Sequence, residues 1–238
     1  MKRTLGKWDG ARGILVLLCW VWMGFVGGSG ETAHAQNVNT NKLMKQTSFE
    51  EWLTKAKGGD TNAQYLLGRS YSVMDVIFQT RKPISEVPYD VEAGHRWFLE
   101  AAKGGVPEAQ YEVGDYFYRK GVYTFDKKKR ADLGQAALVW LNRGAMNGNI
   151  DAWRVLGEGY SKGGLFVTDL IEAYKWIHLA AEAEERLLAA KSINHLKLPA
   201  MRNKLSGQLT GVQIAQAKER AVRFIDAMEK AKKEKPQP

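Results

Sequence analysis

The sequence predicts an all-α fold: an array of helix-turn-helix repeats, of the α-solenoid type, that ends in a C-terminal capping helix. One six-residue pattern ending in glycine occurs three times, at residues 63–68, 109–114 and 152–157, each time with an aromatic residue three positions beyond. A further glycine precedes each copy, at spacings of 46 and 43 residues, and tryptophans recur at 43 and 36 residues. Repetition at such periods is the sequence signature of stacked helical units.

The first helix of each complete unit is predicted around a tryptophan. Small residues lie three positions before it and four positions after it, and positions three and four apart share one face of a helix. We therefore expect a large indole between two small residues, where a neighbouring helix can approach closely. The residues concerned are Trp97 with Gly94 and Ala101, Trp140 with Ala137 and Gly144, and Trp176 with Ala173 and Ala180.

Glycine pairs or Asn-Gly follow, and these supply the left-handed residue that ends a helix. The glycines at one shared position are Gly59, Gly105 and Gly148. Each second helix then begins: Asp60 and Asn149 are predicted N-caps, and Pro107 suits a first turn. In the middle unit we expect Ala109, Val113 and Phe117 to be buried. Glycines at one position, Gly68, Gly114 and Gly157, would permit close backbone contact.

The C-terminal part is predicted to be a long helix, a connector and a cap. Asp169 is a plausible N-cap, and no glycine turn interrupts the helix before about residue 193. The connector around residues 198–199 and 206–207 is expected to be irregular. Thr210 and Gln213 form a capping box before a periodic apolar stripe, so residues 210–232 are expected to cap the array, with 233–238 frayed.

The first 35 residues are expected to be a secretory signal peptide. A basic start precedes an apolar run over residues 14–26, and Ala33-His34-Ala35 is an A-x-A cleavage pattern. The run is shorter than the roughly 20 residues of a membrane span, so we expect cleavage between Ala35 and Gln36. A retained membrane anchor is the alternative. Residues 36–46 are polar and are expected to be a flexible lead-in.

At these motifs the chain resembles the Sel1-like repeat family, whose α-solenoid is related to that of tetratricopeptide repeats. The resemblance rests on the Ala-Ala-Lys-Gly-Gly turn at residues 101–105, on residues 109–111, and on the W-x2-L-G-x2-Y pattern from Trp153 to Tyr160. It implies a right-handed solenoid of about three and a half units over residues 47–190, with a helical cap over 191–232. The first unit departs from the pattern, since Glu51 stands at the tryptophan position beside Trp52.

The resemblance also implies where a partner would bind. In tetratricopeptide-type solenoids, peptides lie along the concave face, which the second helices provide at positions three before, one after and four after the glycine. Carried over to this sequence, the protein-binding positions are Tyr65, Arg69, Ser72, Tyr111, Asp115, Tyr118, Arg154, Glu158 and Ser161. Tyrosine and arginine are favoured interface anchors. The alternative is that Tyr65 and Tyr111 only pack against the adjacent helix.

No catalytic, cofactor or metal site is expected. The single cysteine, Cys19, leaves with the signal peptide, and His95 and His178 lie in different units, where we expect exposed or rim positions. Ser161 stands in a G-x-S-x-G pattern but follows a predicted helix rather than the required strand. We therefore expect a non-enzymatic adaptor, periplasmic or secreted, that binds a protein or peptide.

The alternative partner is suggested by charge. The formal net charge is +9, and loss of residues 1–35 removes four cations and two carboxylates, which leaves +7. Two basic segments stand out, at residues 127–130 and 230–235. We expect a solvated loop and a solvated tail there, and place Asp126 and Asp132 in the same loop. These segments could engage an anionic glycan, peptidoglycan or membrane surface; nucleic acid is not an expected partner outside the cytoplasm.

Overall fold

The structure, a computed structural model, describes residues 49–72, 90–189 and 197–234. The chain divides into two compact units, Met1–Thr47 and Ser48–Pro238, and every described residue belongs to the second. The expected signal peptide and lead-in lie outside the described residues. So do most of the long link after Tyr71, residues 190–196, and the last four residues of the predicted tail.

All regular secondary structure in the described residues is α-helical, as predicted. The helices are α1 (Phe49–Lys57), α2 (Thr61–Tyr71), α3 (Val91–Lys103), α4 (Pro107–Val122), α5 (Lys127–Met146), α6 (Ile150–Lys162), α7 (Leu170–Ala189), α8 (Lys197–Ser206) and α9 (Gly211–Glu234). From α1 to α7 each helix packs on the next, α4 also contacts α6, and α7 contacts both α8 and α9. No helix in this described part is long and apolar enough to cross a membrane.

The turns within units have the left-handed endings that the sequence predicts. Gly59, Gly105 and Gly148 have φ values of 93°, 93° and 84°, which a residue with a side chain rarely adopts. The predicted N-caps are confirmed: the Ala63 backbone N–H donates to Asp60 Oδ1 at 2.9 Å, and that of Ala152 donates to Asn149 Oδ1 at 2.8 Å. Each unit is therefore a tight helical hairpin.

In each of the helices α3, α5 and α7, one side chain lies directly on a glycine of the preceding helix. An ideal Cβ would stand 2.5 Å from Phe98 at Gly68, 2.7 Å from Leu141 at Gly114 and 2.6 Å from Ile177 at Gly157. Real Cβ contacts essentially never fall below 3.0 Å, so only glycine permits this packing. Three identical contacts fix the spacing between successive units.

The sequence predicts that the tryptophan of each first helix packs where a neighbouring helix approaches. This is correct only for Trp176, which is 3% exposed. Trp97 and Trp140 are half-buried, and the residue after each of them, Phe98 or Leu141, fills the interface instead. Trp52 in α1 occupies this same inward position and is buried. Phe117, expected to be buried, is also only partly so. The small residues flanking each tryptophan are all buried.

A second repeated contact closes each helical hairpin. One side chain per unit donates to the carbonyl of the residue eight positions earlier: Gln64 Nε2 to Ala56, Gln110 Nε2 to Ala102 and Trp153 Nε1 to Ala145, at 3.1, 3.3 and 3.1 Å. Glutamine and tryptophan are interchangeable here because both carry an N–H donor. This explains why the third unit keeps its geometry without the Ala-Gln-Tyr motif.

The segment at residues 127–130 is not a loop, which corrects the prediction. It forms the first turn of α5, and Asp126 is the N-cap whose Oδ1 accepts from the Lys129 backbone N–H at 2.7 Å. Asp132 lies within the same helix. Lysines 127–129 are nevertheless exposed, as expected. A charged first turn lacks the apolar periodicity from which a helix is recognised.

The cap has two helices rather than an irregular connector and one helix. Leu198 and Pro199 lie in the first turn of α8, where the Leu198 N–H donates to Glu184 Oε2 at 2.9 Å. The capping box of α9 is confirmed: Thr210 N–H donates to Gln213 Oε1 at 2.8 Å, and Gln213 N–H donates to Thr210 Oγ1 at 3.3 Å. The α9 helix continues to Glu234, two residues past the predicted end.

Candidate functional site

The residues predicted to bind a partner lie on or directly after α2, α4 and α6, and the surface they form is called here the second-helix face. Its centre is Arg154. The Arg154 Nη2 donates to the hydroxyl of Tyr111 at 3.5 Å, Nη1 donates to Glu158 Oε1 at 3.0 Å, and Nε donates to Asp151 Oδ1 at 3.3 Å. The side chain of Arg154 is 31% exposed. The structure thus brings Tyr111, Arg154 and Glu158 together across two units.

Asp115 lies one helical turn beyond Tyr111 and is nearly buried, with 12% of its side chain exposed. Burial raises the pKa of its carboxyl, and the guanidinium of Arg119 opposes that rise. Arg119 Nε donates to Asp115 Oδ2 at 2.6 Å. Arg119 is mostly exposed, so this ion pair is open to solvent on one side.

The sequence motifs do not predict Glu112 as a site residue, yet its pKa is the most perturbed among the carboxyls on this face. Burial, with the nearby charge of Asp115, raises the pKa of Glu112 to about 7, and Arg69 and Arg119 act in the opposite direction. No hydrogen bond or ion pair links its carboxyl to another residue in the described part of the chain. Perturbed carboxyls of this kind concentrate at functional sites.

The sequence does contain a signal for Glu112. The same repeat position is Leu66 in the first unit and Val155 in the third, and both side chains are 3% exposed. A carboxylate therefore replaces an aliphatic core residue in the middle unit alone. Comparing units at every position, and not only at the motif positions, would have found it.

Tyr65 and Ser72 serve the packing of units more than an open surface. The ring of Tyr65 lies against Phe98, with centroids 5.7 Å apart. Ser72 is the C-cap of α2, and its N–H donates to the Gly68 carbonyl at 3.1 Å. Arg69, between them, is half-buried and acts electrostatically on Glu112.

The far end of the face is formed by α4 and α6 near their C-termini. Glu158 Oε2 accepts from Lys162 Nζ at 2.9 Å, so this carboxylate bridges Arg154 and Lys162. The ring of Tyr118 packs on Phe166, with centroids 5.4 Å apart. Ser161 is half-buried on α6 beside this group.

The charges of the second-helix face are mixed and balanced. The face carries four cationic and four anionic side chains, and both α4 and α6 contribute charges of both signs: Arg69, Arg119, Arg154 and Lys162 with Glu112, Asp115, Asp151 and Glu158. Most are held by partners within the face, so their directions are set before a ligand arrives. Such a surface suits an extended segment with both donors and acceptors better than a uniformly charged polymer.

His95 and His178 are expected at exposed or rim positions, and His178 is more buried than expected. The ring of His95 stacks on Tyr116 at 3.8 Å between centroids and is half-buried. His178 is not exposed: its side chain is 14% exposed, and burial with the charges of Lys218 and Arg202 lowers its pKa to about 4. It therefore stays neutral near neutral pH. Within residues 49–72, 90–189 and 197–234, no three His, Cys, Asp or Glu side chains cluster in a metal-binding arrangement.

Stacked helical hairpins, glycine-mediated contacts between units and a polar face on the second helices define an α-solenoid repeat protein. The Sel1 repeat model matches residues 61–106, 107–149 and 154–184. The chain therefore belongs to the Sel1 repeat family. Sel1 repeat proteins generally mediate protein–protein interaction and are generally of a non-catalytic scaffold type.

Two solved structures are similar to this chain. A Sel1 repeat protein from Oxalobacter formigenes is 24% identical, with a TM-score of 0.45 over 58% of this chain and 92% of that one. A protective antigen present in uropathogenic Escherichia coli strains, which displays an SLR fold, is 22% identical, with a TM-score of 0.37 over 79% of this chain and 44% of that one. No curated protein matches the sequence.

Proposed function

We propose that the protein is a non-enzymatic adaptor of the bacterial envelope that binds an extended protein segment along the second-helix face. The observation that carries the proposal is the contact between Tyr111 and Arg154, which joins two units at the centre of a mixed-charge surface. A preordered tyrosine and arginine offer anchoring groups at low entropic cost. The concave geometry of this face is part of the proposal and follows from the family resemblance.

The position of Glu112 indicates which type of residue the bound segment would carry. A half-buried carboxyl beside Tyr111, which has no hydrogen bond or ion pair within the described part, would gain from an incoming lysine or arginine side chain. An opposite charge at close range favours the ionised carboxylate and lowers its pKa. We infer that the bound segment places a cationic residue near Glu112.

The test is crosslinking in intact cells with a tagged chain, followed by identification of the captured proteins. Replacing Tyr111 and Arg154 together with alanine should reduce capture of the specific partner about tenfold or more, the usual scale for interface anchors. The matched control is Tyr116→Ala with Arg223→Ala, which removes the same two residue types elsewhere. If the Tyr111→Ala, Arg154→Ala variant captured the partner as well as the parent does, with its helical content unchanged, the second-helix face would not be the binding site.

The envelope location is a separate part of the proposal. It is supported by the basic start, the apolar run at residues 14–26 and the Ala-His-Ala pattern that ends at Ala35. N-terminal sequencing of the protein from a periplasmic or culture fraction should give Gln36 as the first residue. Recovery of the intact N-terminus in the membrane fraction would favour a retained anchor instead.

A further inference from the structure

Two neighbouring loops of the array carry apolar side chains that are almost fully exposed. Tyr123 and Phe125, between α4 and α5, are 80% and 99% exposed, and Val167, between α6 and α7, is 88% exposed. Three exposed lysines follow directly at residues 127–129. We name residues 122–130 and 164–167 together the tip surface.

The α6–α7 loop packs on the two helices that the α4–α5 loop connects. A Cβ on Gly121 in α4 would stand 2.6 Å from Leu165 Cδ1, and one on Gly134 in α5 would stand 3.1 Å from the Leu165 carbonyl oxygen. Phe166 is buried, with its ring 5.4 Å from that of Tyr118. The two residues before Val167 therefore anchor its loop to α4 and α5. The α6–α7 loop therefore lies beside the α4–α5 loop, at the same end of the two helical hairpins.

Lysines 127–129 do not stabilise the helix in which they lie. They occupy the N-terminal turn of α5, where the helix dipole favours anions and disfavours cations. Asp126 caps this turn through its side chain, and no ion pair joins lysines 127–129 to a carboxylate among residues 49–72, 90–189 and 197–234. Full exposure of a phenylalanine ring is likewise unfavourable in water.

We propose that the tip surface docks on an anionic phospholipid bilayer, with Tyr123, Phe125 and Val167 entering the headgroup region and lysines 127–129 contacting lipid phosphates. Aromatic side chains favour this interface, and lysine stems reach along it while the ammonium groups stay hydrated. Each lysine near an anionic surface strengthens partitioning about fivefold. This docking is independent of peptide binding by the second-helix face.

The shape of the tip favours a bilayer over a protein partner. The apolar groups project outward from loops, and a specific protein interface needs about 800 Å² of matching surface on each side. A bilayer requires no matching groove because lipids close around an inserted side chain. The adjoining positive charge complements anionic headgroups directly.

The test measures sedimentation with vesicles of phosphatidylcholine mixed with phosphatidylglycerol, and with vesicles of phosphatidylcholine alone. The chain from Gln36 is used, so that the apolar run at residues 14–26 takes no part; the helical unit Ser48–Pro238 is compact in itself. Binding should require phosphatidylglycerol and weaken as salt rises. Changing lysines 127–129 to glutamine should weaken it roughly a hundredfold.

Matched controls separate the tip from general charge and hydrophobicity. Changing Lys218, Lys230 and Lys233 to glutamine removes the same charge from exposed positions of α9, and Val212→Ser removes an exposed apolar side chain there. Both should bind as the parent does, whereas Tyr123→Ser with Phe125→Ser should lose most binding. Unchanged binding by the tip variants, or equal loss in the α9 lysine variant, overturns the proposal.

A second measurement leaves the aromatic residues in place. Cys19 is the only cysteine of the chain, so Val167→Cys in the chain from Gln36 accepts a single environment-sensitive fluorophore. Its emission should shift to the blue on phosphatidylglycerol vesicles, and that of labelled Val212→Cys should not. Absence of the shift, or sedimentation with isolated peptidoglycan but not with vesicles, overturns lipid docking.

Discussion

Leu141 of α5 packs on the bare backbone of Gly114 in α4, so closely that a Cβ at position 114 would lie 2.7 Å from Leu141 Cγ and 2.9 Å from the Leu141 backbone nitrogen. The backbone nitrogen cannot move aside without shifting the helix. The contact therefore sets the distance between α4 and α5. Equivalent contacts on Gly68 and Gly157 repeat it along the array.

Gly114→Leu should therefore lower the free energy of unfolding by about 1–3 kcal/mol, because overpacking forces the helices apart. Thermal melting should fall by about 2–4 °C for each kcal/mol lost. Gly211→Leu is the control, since nothing lies within 4 Å of a Cβ there. Equal melting temperatures for the two variants would contradict the packing described.

Gln64→Met tests the contact that closes each helical hairpin. Methionine keeps the shape of glutamine but removes the N–H that donates to the Ala56 carbonyl at 3.1 Å. That carbonyl still accepts from the Gly59 N–H, so the expected loss is one net hydrogen bond, about 0.5–1.5 kcal/mol. Gln135→Met, at an exposed position of α5, should be neutral in the same urea titration.

Asn149→Ala should cost about 1 kcal/mol because it removes the side-chain acceptor for the Ala152 N–H at the start of α6. Asn149→Asp retains an acceptor and should keep most of the stability. Chemical denaturation of the three proteins distinguishes loss of the cap from a general effect of changing this turn. A destabilised aspartate variant would argue against the capping role.

Glu112 should make stability depend on pH. Its pKa is about 7 in the folded protein, above the ordinary value of 4.5, so the folded state holds a proton that the unfolded state releases. Stability then falls as pH rises from about 4.5 to 7. Glu112→Gln should be more stable than the parent by about 1–3 kcal/mol above pH 7, with the difference vanishing below pH 4.5.

The comparison between variant and parent is needed because His178 acts in the opposite sense. Its lowered pKa, about 4, means that the unfolded state binds more protons between pH 4 and 6.5. Stability due to His178 therefore rises with pH in that window. The pH dependence of stability in the parent alone shows the sum of both groups. The difference in stability between Glu112→Gln and the parent isolates the contribution of Glu112.

Glu112→Leu should separate stability from recognition. Leucine restores the residue type found at Leu66 and Val155, so melting temperature should rise. Capture of the partner should fall, since the carboxylate would no longer meet a cationic side chain. A variant that is more stable and captures its partner undiminished would assign Glu112 no part in binding.

The sequence predicts the architecture well because its signals are local. Turn glycines, N-caps such as Asp60 and the helix periods are set by backbone chemistry within a few residues. Motif spacing predicts the wrong interface residue in two of the first helices, because the choice depends on the helix packed against them. Trp97 and Phe98 are adjacent and both apolar, and only the position of Gly68 on the neighbouring helix decides that Phe98 enters the interface.

The candidate site was predicted only in part for a related reason. Motif spacing identifies positions on a helix but not the contacts that side chains then make. Tyr111 and Arg154 meet across 43 residues, whereas Tyr65 is turned onto Phe98. The sequence pattern does not predict the first turn of α5 because its lysines lack apolar periodicity, and Asp126 is the one local signal of a helix start.

The glycine contacts have a consequence for how such a chain can diversify. Phe98, Leu141 and Ile177 follow their partner glycines by 30, 27 and 20 residues, yet all three make the same contact. The same kind of contact between units is thus made across connectors of different length. Surface chemistry such as the exposed aromatic residues before α5 and the lysines of its first turn lies in or next to a connector, away from these three glycine contacts.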